Sequence, residues 1–161
     1  MSDWIEPGQP APDFSLPADN GQKVRLKEQR GSPVVLYFYP RDDTPGCTRE
    51  ACAFRDRLKE LTRQGAKVFG VSTDDVASHE KFRDKYQLNF PLLADVEHRV
   101  AEQYGAWREK NMYGKKSWGV QRSTYLIDAE GKVHRVWKKV SVDGHDQAVI
   151  EAVEKMKGSE K

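Results

Sequence analysis

Two hydrophobic rhythms alternate along the chain, and their order predicts an α/β fold. Residues 13–16 and 23–26 alternate polar and apolar side chains, with Asn20-Gly21 inside the connection. A period of two marks a half-buried strand, and Asn-Gly accepts the left-handed backbone of a tight reversal, so this segment predicts a β-hairpin. Residues 34–39 are a continuous apolar run between Pro33 and Pro40. Its length and its β-branched and aromatic content predict a strand buried on both faces. Residues 66–72 predict a second such strand. Between the two, residues 44–64 switch to helical spacing, with Ala51, Phe54, Leu58 and Leu61 separated by 3, 4 and 3 positions. Gly65 is placed to stop that helix.

Further along, residues 76–86 predict a helix, with Asp74 or Asp75 as its cap. A short extended piece at 90–93 and a short helix at 96–104 follow. Residues 106–119 mix aromatics, lysines and glycines with no clear period, and read as a loop. Residues 123–127 and 132–137, joined by a turn at 128–131, predict a second hairpin, and residues 146–156 a closing helix. Strand, helix, strand, helix, hairpin and helix in that order predict a central mixed sheet with helices on both faces and an N-terminal β-hairpin. No repeat, low-complexity stretch or linker interrupts residues 1–161, so a single domain is expected.

Composition narrows the function. Apolar residues make up 37% of the 161, enough to bury a core without disulfide or metal support. Lys plus Arg (27) nearly balance Asp plus Glu (25), which gives no basic surplus for nucleic acid. The first residues show no basic-then-apolar signal pattern, and no run reaches the length of a membrane span, so a cytoplasmic location is expected. Four histidines, His79, His98, His134 and His145, lack ligand spacing with the two cysteines and read as surface residues. No metal or other cofactor is expected.

Those cysteines carry the chemistry. Cys47 and Cys52 are the only two in the chain and stand five positions apart. In a reducing compartment such a pair is redox-active or metal-binding more often than a static crosslink. Thr44 suits the N-cap and Pro45 the first helical position, which puts Gly46 second and Cys47 third. Cys47 therefore falls in the opening turn, whose N–H groups have no partner within the helix and whose dipole end is positive. Both favour a thiolate: a thiol of ordinary pKa, about 8.5, is only a few per cent ionised at neutral pH, and lowering it by ~2 units would ionise most of it. Glycine at the second position keeps bulk away from the sulfur. Extending the apolar stripe back four residues from Ala51 lands on Cys47, so this side chain points inward. Cys52 lies about 140° further round, at ~100° per residue, beside Arg55, Asp56 and Lys59. On an intact helix the two Cα atoms stand about 8.7 Å apart, beyond the ~6.8 Å limit of a disulfide. Either the cysteines never pair, or the turns between them unwind during function.

The segment from Tyr39 to Cys52 closely resembles the active-site segment of Q-type peroxiredoxins, also called bacterioferritin comigratory proteins. Residues 8–16, 107–116 and 119–128 are similar to that family's opening and later signatures, so the likeness spans nearly the whole chain. The resemblance implies a thioredoxin-like fold and a thiol-dependent peroxidase. Cys47 would be the peroxidatic cysteine and Cys52 the resolving one. Pro40 would shape a substrate pocket together with Pro45 and Gly46, Thr44 would help shape it and act as a catalytic residue through its hydroxyl, and Arg122 would pair with the thiolate and the peroxide. Hydrogen peroxide or an organic hydroperoxide would oxidise Cys47 to a sulfenic acid, Cys52 would close an intramolecular disulfide, and thioredoxin or a related dithiol would reduce it. An intrachain resolving cysteine removes any need for a second copy, so a monomer is expected, with neither nucleic acid nor membrane as partner. Glu50 reads as a first-turn glutamate that favours the helix dipole and is not counted as catalytic. Two other readings use the same residues: a disulfide reductase, whose usual C-x-x-C pair fits this spacing poorly, and a redox-sensing chaperone that unfolds on oxidation.

Overall fold

The computed structural model describes residues 3–159. Strands Ser15–Pro17 (β1) and Lys23–Arg25 (β2) pair antiparallel with Leu16 opposite Val24, the first hairpin expected. Val34–Phe38 (β3) leads into helix Pro45–Arg63 (α1), then Lys67–Ser72 (β4), helix Val76–Tyr86 (α2), Leu92–Ala94 (β5) and a short helix, Arg99–Gln103 (α3). Trp107–Met112 (β6), Lys115–Val120 (β7), Ser123–Ile127 (β8), Val133–Trp137 (β9) and helix His145–Ser159 (α4) complete the order. The main sheet runs β5-β4-β3-β8-β9. It is mixed because β3 pairs parallel with β4 on one side and antiparallel with β8 on the other.

β3 is the middle strand, and all five of its residues are buried. The pleat sends Val35 and Tyr37, with Tyr39 beyond the strand, to one core, and Val34, Leu36 and Phe38 to the other. The apolar run thus has a physical cause: every position meets a hydrophobic layer. The crossovers β3-α1-β4 and β4-α2-β5 step the same way along the sheet, and right-handed connections then put both helices on one face. Phe54 of α1, Phe82 of α2, and Val149, Ile150 and Val153 of α4 share that core. On the opposite face, Val100 and Ala101 of α3 pack with Phe14, Leu16 and Leu26 from the N-terminal segment. Helices cover both faces, but one of them is covered mainly by a five-residue helix and the N-terminal hairpin.

Residues 106–119 are not a loop. β6 and β7 form an antiparallel ribbon from Trp107 opposite Val120 to Met112 opposite Lys115. Tyr113 and Gly114 make the turn, with φ of 54° and 79°. Positive φ at both central residues is the twist that a two-residue hairpin requires, and Gly114 takes it without strain. The ribbon is largely exposed beyond its base. Hydrophobic period reports burial, so a strand pair with little buried has none to show. At the start of α2, Asp75 is the cap, accepting from the N–H of Ser78. Two histidines expected at the surface are buried instead: His79, wholly so, and His145, 6% exposed.

Candidate active site

The sheet register assembles the site. Phe38 at the end of β3 stands opposite Ser123 at the start of β8. Arg122, one residue earlier, therefore reaches the first turn of α1 despite lying 75 positions along the chain from Cys47. One guanidinium nitrogen, Nη2, donates to Cys47 Sγ at 3.3 Å, and the other, Nη1, donates to Glu50 Oε1 at 2.7 Å. Cys47 is 1% exposed, the inward position predicted from the helical stripe. The expectation for Gly46 takes a definite form here: a Cβ at that residue would sit 3.0 Å from Arg122 Nη2. An added methyl group there would press the guanidinium by a few tenths of an ångström from its place beside the sulfur.

Thr44 occupies the N-cap in extended conformation, and Pro45 opens the helix. The Thr44 hydroxyl caps nothing; it donates to the carbonyl of Arg41 at 3.0 Å. Pro40 and Thr44 are half-buried at the lip of the loop, and Pro45 is exposed. Cys52 is partly buried five positions on along an unbroken helix, and both thiols are free. Their separation along α1, ~7.5 Å of rise, keeps them from bonding in this conformation.

Glu50 is the residue that sequence reading undervalued. It lies in the second turn of α1, not the first, and is 2% exposed. Burial pushes its pKa up to about 7, against the pull of the Arg122 charge and hydrogen bond. Among the described residues, its second oxygen, Oε2, has no hydrogen-bond partner. Burial opposes the charge on Arg122 in turn, but Glu50 and Cys47 outweigh it and its pKa is raised. Spacing could have signalled this role, because Cys47 and Glu50 are three apart and share a helix face. Lys110, on the ribbon, was missed as well. Half-buried, it donates to the carbonyl of Val120 at 2.5 Å. Burial lowers its pKa, the Arg122 charge adds to that lowering, and the charge of Cys47 opposes it. No local signal in the sequence brings Lys110 here; only the ribbon fold does.

Chemically, the site presents a sulfur to a bidentate cation at the positive end of a helix, within a largely dehydrated setting. That arrangement holds an anionic nucleophile and can steady negative charge that develops on an atom it attacks. The ligating atoms of Asp42, Asp74 and His79 lie within 4.8 Å of one another, but they are engaged in hydrogen bonds among themselves and with Tyr39, Ser72, Ser78 and the Leu93 carbonyl.

The sequence pattern of the AhpC/TSA family matches residues 7–136. The chain belongs to that family. It is 51% identical over 146 residues to a putative peroxiredoxin Bcp of Coxiella burnetii, covering 91% of this chain and 97% of the relative. With the peroxiredoxin Bcp of Bacillus subtilis it shares 47% over 153 residues, 95% and 96% of the two chains. Among solved structures it superposes on the Xanthomonas campestris bacterioferritin comigratory protein with a TM-score of 0.89 at 39% identity, over 94% of this chain and 99% of that one. That structure concerns the alkyl peroxide reduction activity of the Xanthomonas protein. The α/β architecture is therefore the thioredoxin-like fold of peroxiredoxins, and the chain is a thiol peroxidase.

Proposed function

We propose that Cys47 reduces hydrogen peroxide and alkyl hydroperoxides, that Cys52 resolves the oxidised sulfur, and that thioredoxin or a similar dithiol recycles the pair. The contact between Arg122 and Cys47, braced by buried Glu50, is the observation that carries this reading. The Cys47 thiolate attacks the nearer peroxide oxygen; the O–O bond breaks, and the departing oxygen leaves as water or alcohol once protonated. Cys47 becomes a sulfenic acid. Arg122 holds the sulfur and steadies charge on the leaving oxygen, while Pro40, Thr44, Pro45 and Gly46 form the approach. The first turns of α1 then unwind, the Cys52 thiolate attacks the Cys47 sulfur, and the sulfenic hydroxyl leaves as water. The disulfide so formed is reduced by an external dithiol, which is itself oxidised.

Residues 1–161 act as one domain, as a monomer, because both electrons needed for resolution come from the same helix. Among the described residues no helix is long and apolar enough to cross a membrane; a cytoplasmic setting is part of this reading, in keeping with a thiol pair that is kept reduced between turnovers. Intact mass after one equivalent of peroxide tests the cycle: loss of two hydrogens with no crosslinked dimer is expected. Cys47→Ser should abolish peroxide turnover. Cys52→Ser should keep the first oxidation, gaining one oxygen at Cys47, but lose thioredoxin-dependent recycling. Peroxidase turnover persisting in Cys47→Ser would overturn the assignment.

A further inference from the structure

The loop between β3 and α1 is fastened firmly on the upstream side of Thr44 and lightly on the downstream side. Asp42 is buried, with its side chain 4% exposed. Its Oδ1 accepts from the Tyr39 hydroxyl at 2.6 Å, and its Oδ2 accepts from the Ser78 hydroxyl at 2.8 Å and meets His79 Nδ1 at 2.7 Å. Its own N–H donates to Asp74 Oδ2 at 2.8 Å, an oxygen that also accepts from the Ser72 hydroxyl. His79 is wholly buried, and its Nε2 lies 3.0 Å from the Leu93 carbonyl. A carbonyl only accepts, so the Leu93 contact is made by a hydrogen on Nε2. One imidazole thereby ties the loop to α2 and to β5. Asp43 follows with φ of 58° and accepts from Lys85 Nζ and the Tyr86 hydroxyl, both at 2.8 Å. Beyond it, the Thr44 hydroxyl bonds back within the loop, to the Arg41 carbonyl, Pro45 has no N–H to give, and the Thr44 carbonyl accepts from the Thr48 N–H at 2.8 Å as α1 begins.

We propose that Asp42 and His79 form a latch that fixes the upstream end of the cysteine loop while the first turns of α1 open and close. His79 is a positioning residue that acts through Asp42. The proposal rests on the roles given above to Cys47 and Cys52. Unwinding needed for the disulfide then starts at Thr44 and runs towards Cys52, and the fixed end returns Cys47 to Arg122 on reduction. The latch also sets how long a sulfenic acid stays in the closed turn. There a second peroxide can oxidise it to sulfinic acid, releasing water or alcohol, before Cys52 arrives. A looser latch should slow the first oxidation, speed disulfide closure and lower the sulfinic yield.

Two substitutions separate this role from simple packing. The amide of Gln reaches the Nε2 position and that of Asn the Nδ1 position, so His79→Gln keeps the Leu93 bond and loses the Asp42 bond, and His79→Asn does the reverse. For His79→Gln we expect the rate constant for Cys47 oxidation by hydrogen peroxide, from stopped-flow fluorescence, to fall roughly tenfold, the worth of one hydrogen bond to a charged group. Its sulfinic fraction in excess peroxide, read by intact mass, should fall with it, while His79→Asn stays close to the parent on both. Equal behaviour of the two variants would overturn the latch. Should both fail to fold, hydrogen exchange on the parent protein decides: oxidation to the disulfide should expose the Thr48 amide and leave the Asp42 amide protected. Loss of protection at both would overturn the proposal. A parent that forms no Cys47–Cys52 disulfide would instead overturn the resolving role of Cys52, and the latch with it.

Discussion

Glu50 shows what a single buried carboxyl does to this site. Its folded pKa, pushed up to about 7, lies above the ordinary 4.5. A carboxyl raised in this way favours the folded state fully below pH ~4.5, and that contribution is lost as pH rises through about 7. The cost of holding it ionised is bounded at roughly 3 kcal/mol. Arg122 makes the cost tolerable, and the same contact aims the guanidinium at Cys47. Glu50→Gln should therefore stabilise the fold relative to the parent at pH 8 and by much less at pH 5, as read from urea midpoints. The variant should also oxidise more slowly, because an amide holds Arg122 more weakly than a carboxylate. A parent and variant with parallel stability-pH curves would contradict the assignment of this titration to Glu50.

At the scale of elements, α4 depends on a histidine of the opposite sign. His145 opens that helix, bonded through Nε2 to the Thr124 hydroxyl of β8 at 2.8 Å and ringed edge-on by Phe54 and Trp137. Burial lowers its pKa to about 4, so the neutral ring is the folded form. Its contribution is complete above pH ~6.5 and is lost as pH falls towards 4, with a ceiling of roughly 3 kcal/mol. His145→Gln cannot be protonated, so its unfolding midpoint should fall less than the parent's between pH 7 and pH 4.5. An unchanged acid dependence would mean that α4 docks independently of this ring. Elements were legible in the sequence where burial imposes a rhythm. β3 and α1 declare themselves because each buried position faces a hydrophobic layer. The ribbon β6–β7 did not, since little of it is buried, and His79 and His145 look like any polar residue until neighbours distant in sequence enclose them.

For the whole molecule, the proposed cycle needs one chain. Cys47, Cys52, Glu50 and Arg122 all come from the same copy, and α1 supplies three of them. Sedimentation equilibrium should give a single-chain mass near 18.4 kDa for reduced and oxidised protein alike. A two-chain mass that appears on oxidation and is lost with reductant would point to resolution between copies instead. The opposed titrations of Glu50 and His145 combine in the stability of the whole fold. Between pH 4.5 and 7 one gains what the other loses, so the parent's net dependence from these two groups should be shallow, and each single variant should unmask the other.

Local order along the chain set the cysteine helix. Thr44, Pro45, Gly46 and the stripe from Cys47 to Leu61 are neighbours along the chain, and the 3.6-residue turn fixes their geometry without help from elsewhere. It also determined that Cys47 and Cys52 stand too far apart to bond while α1 is whole. Contacts between distant segments set what surrounds the sulfur. Arg122 arrives through the β3–β8 register, Glu50 becomes a buried partner because Arg122 is there, and Asp42 meets His79 only because α2 packs beside the loop. Contacts set by local periodicity can be read from order; those set by which strand lies beside which need the folded chain.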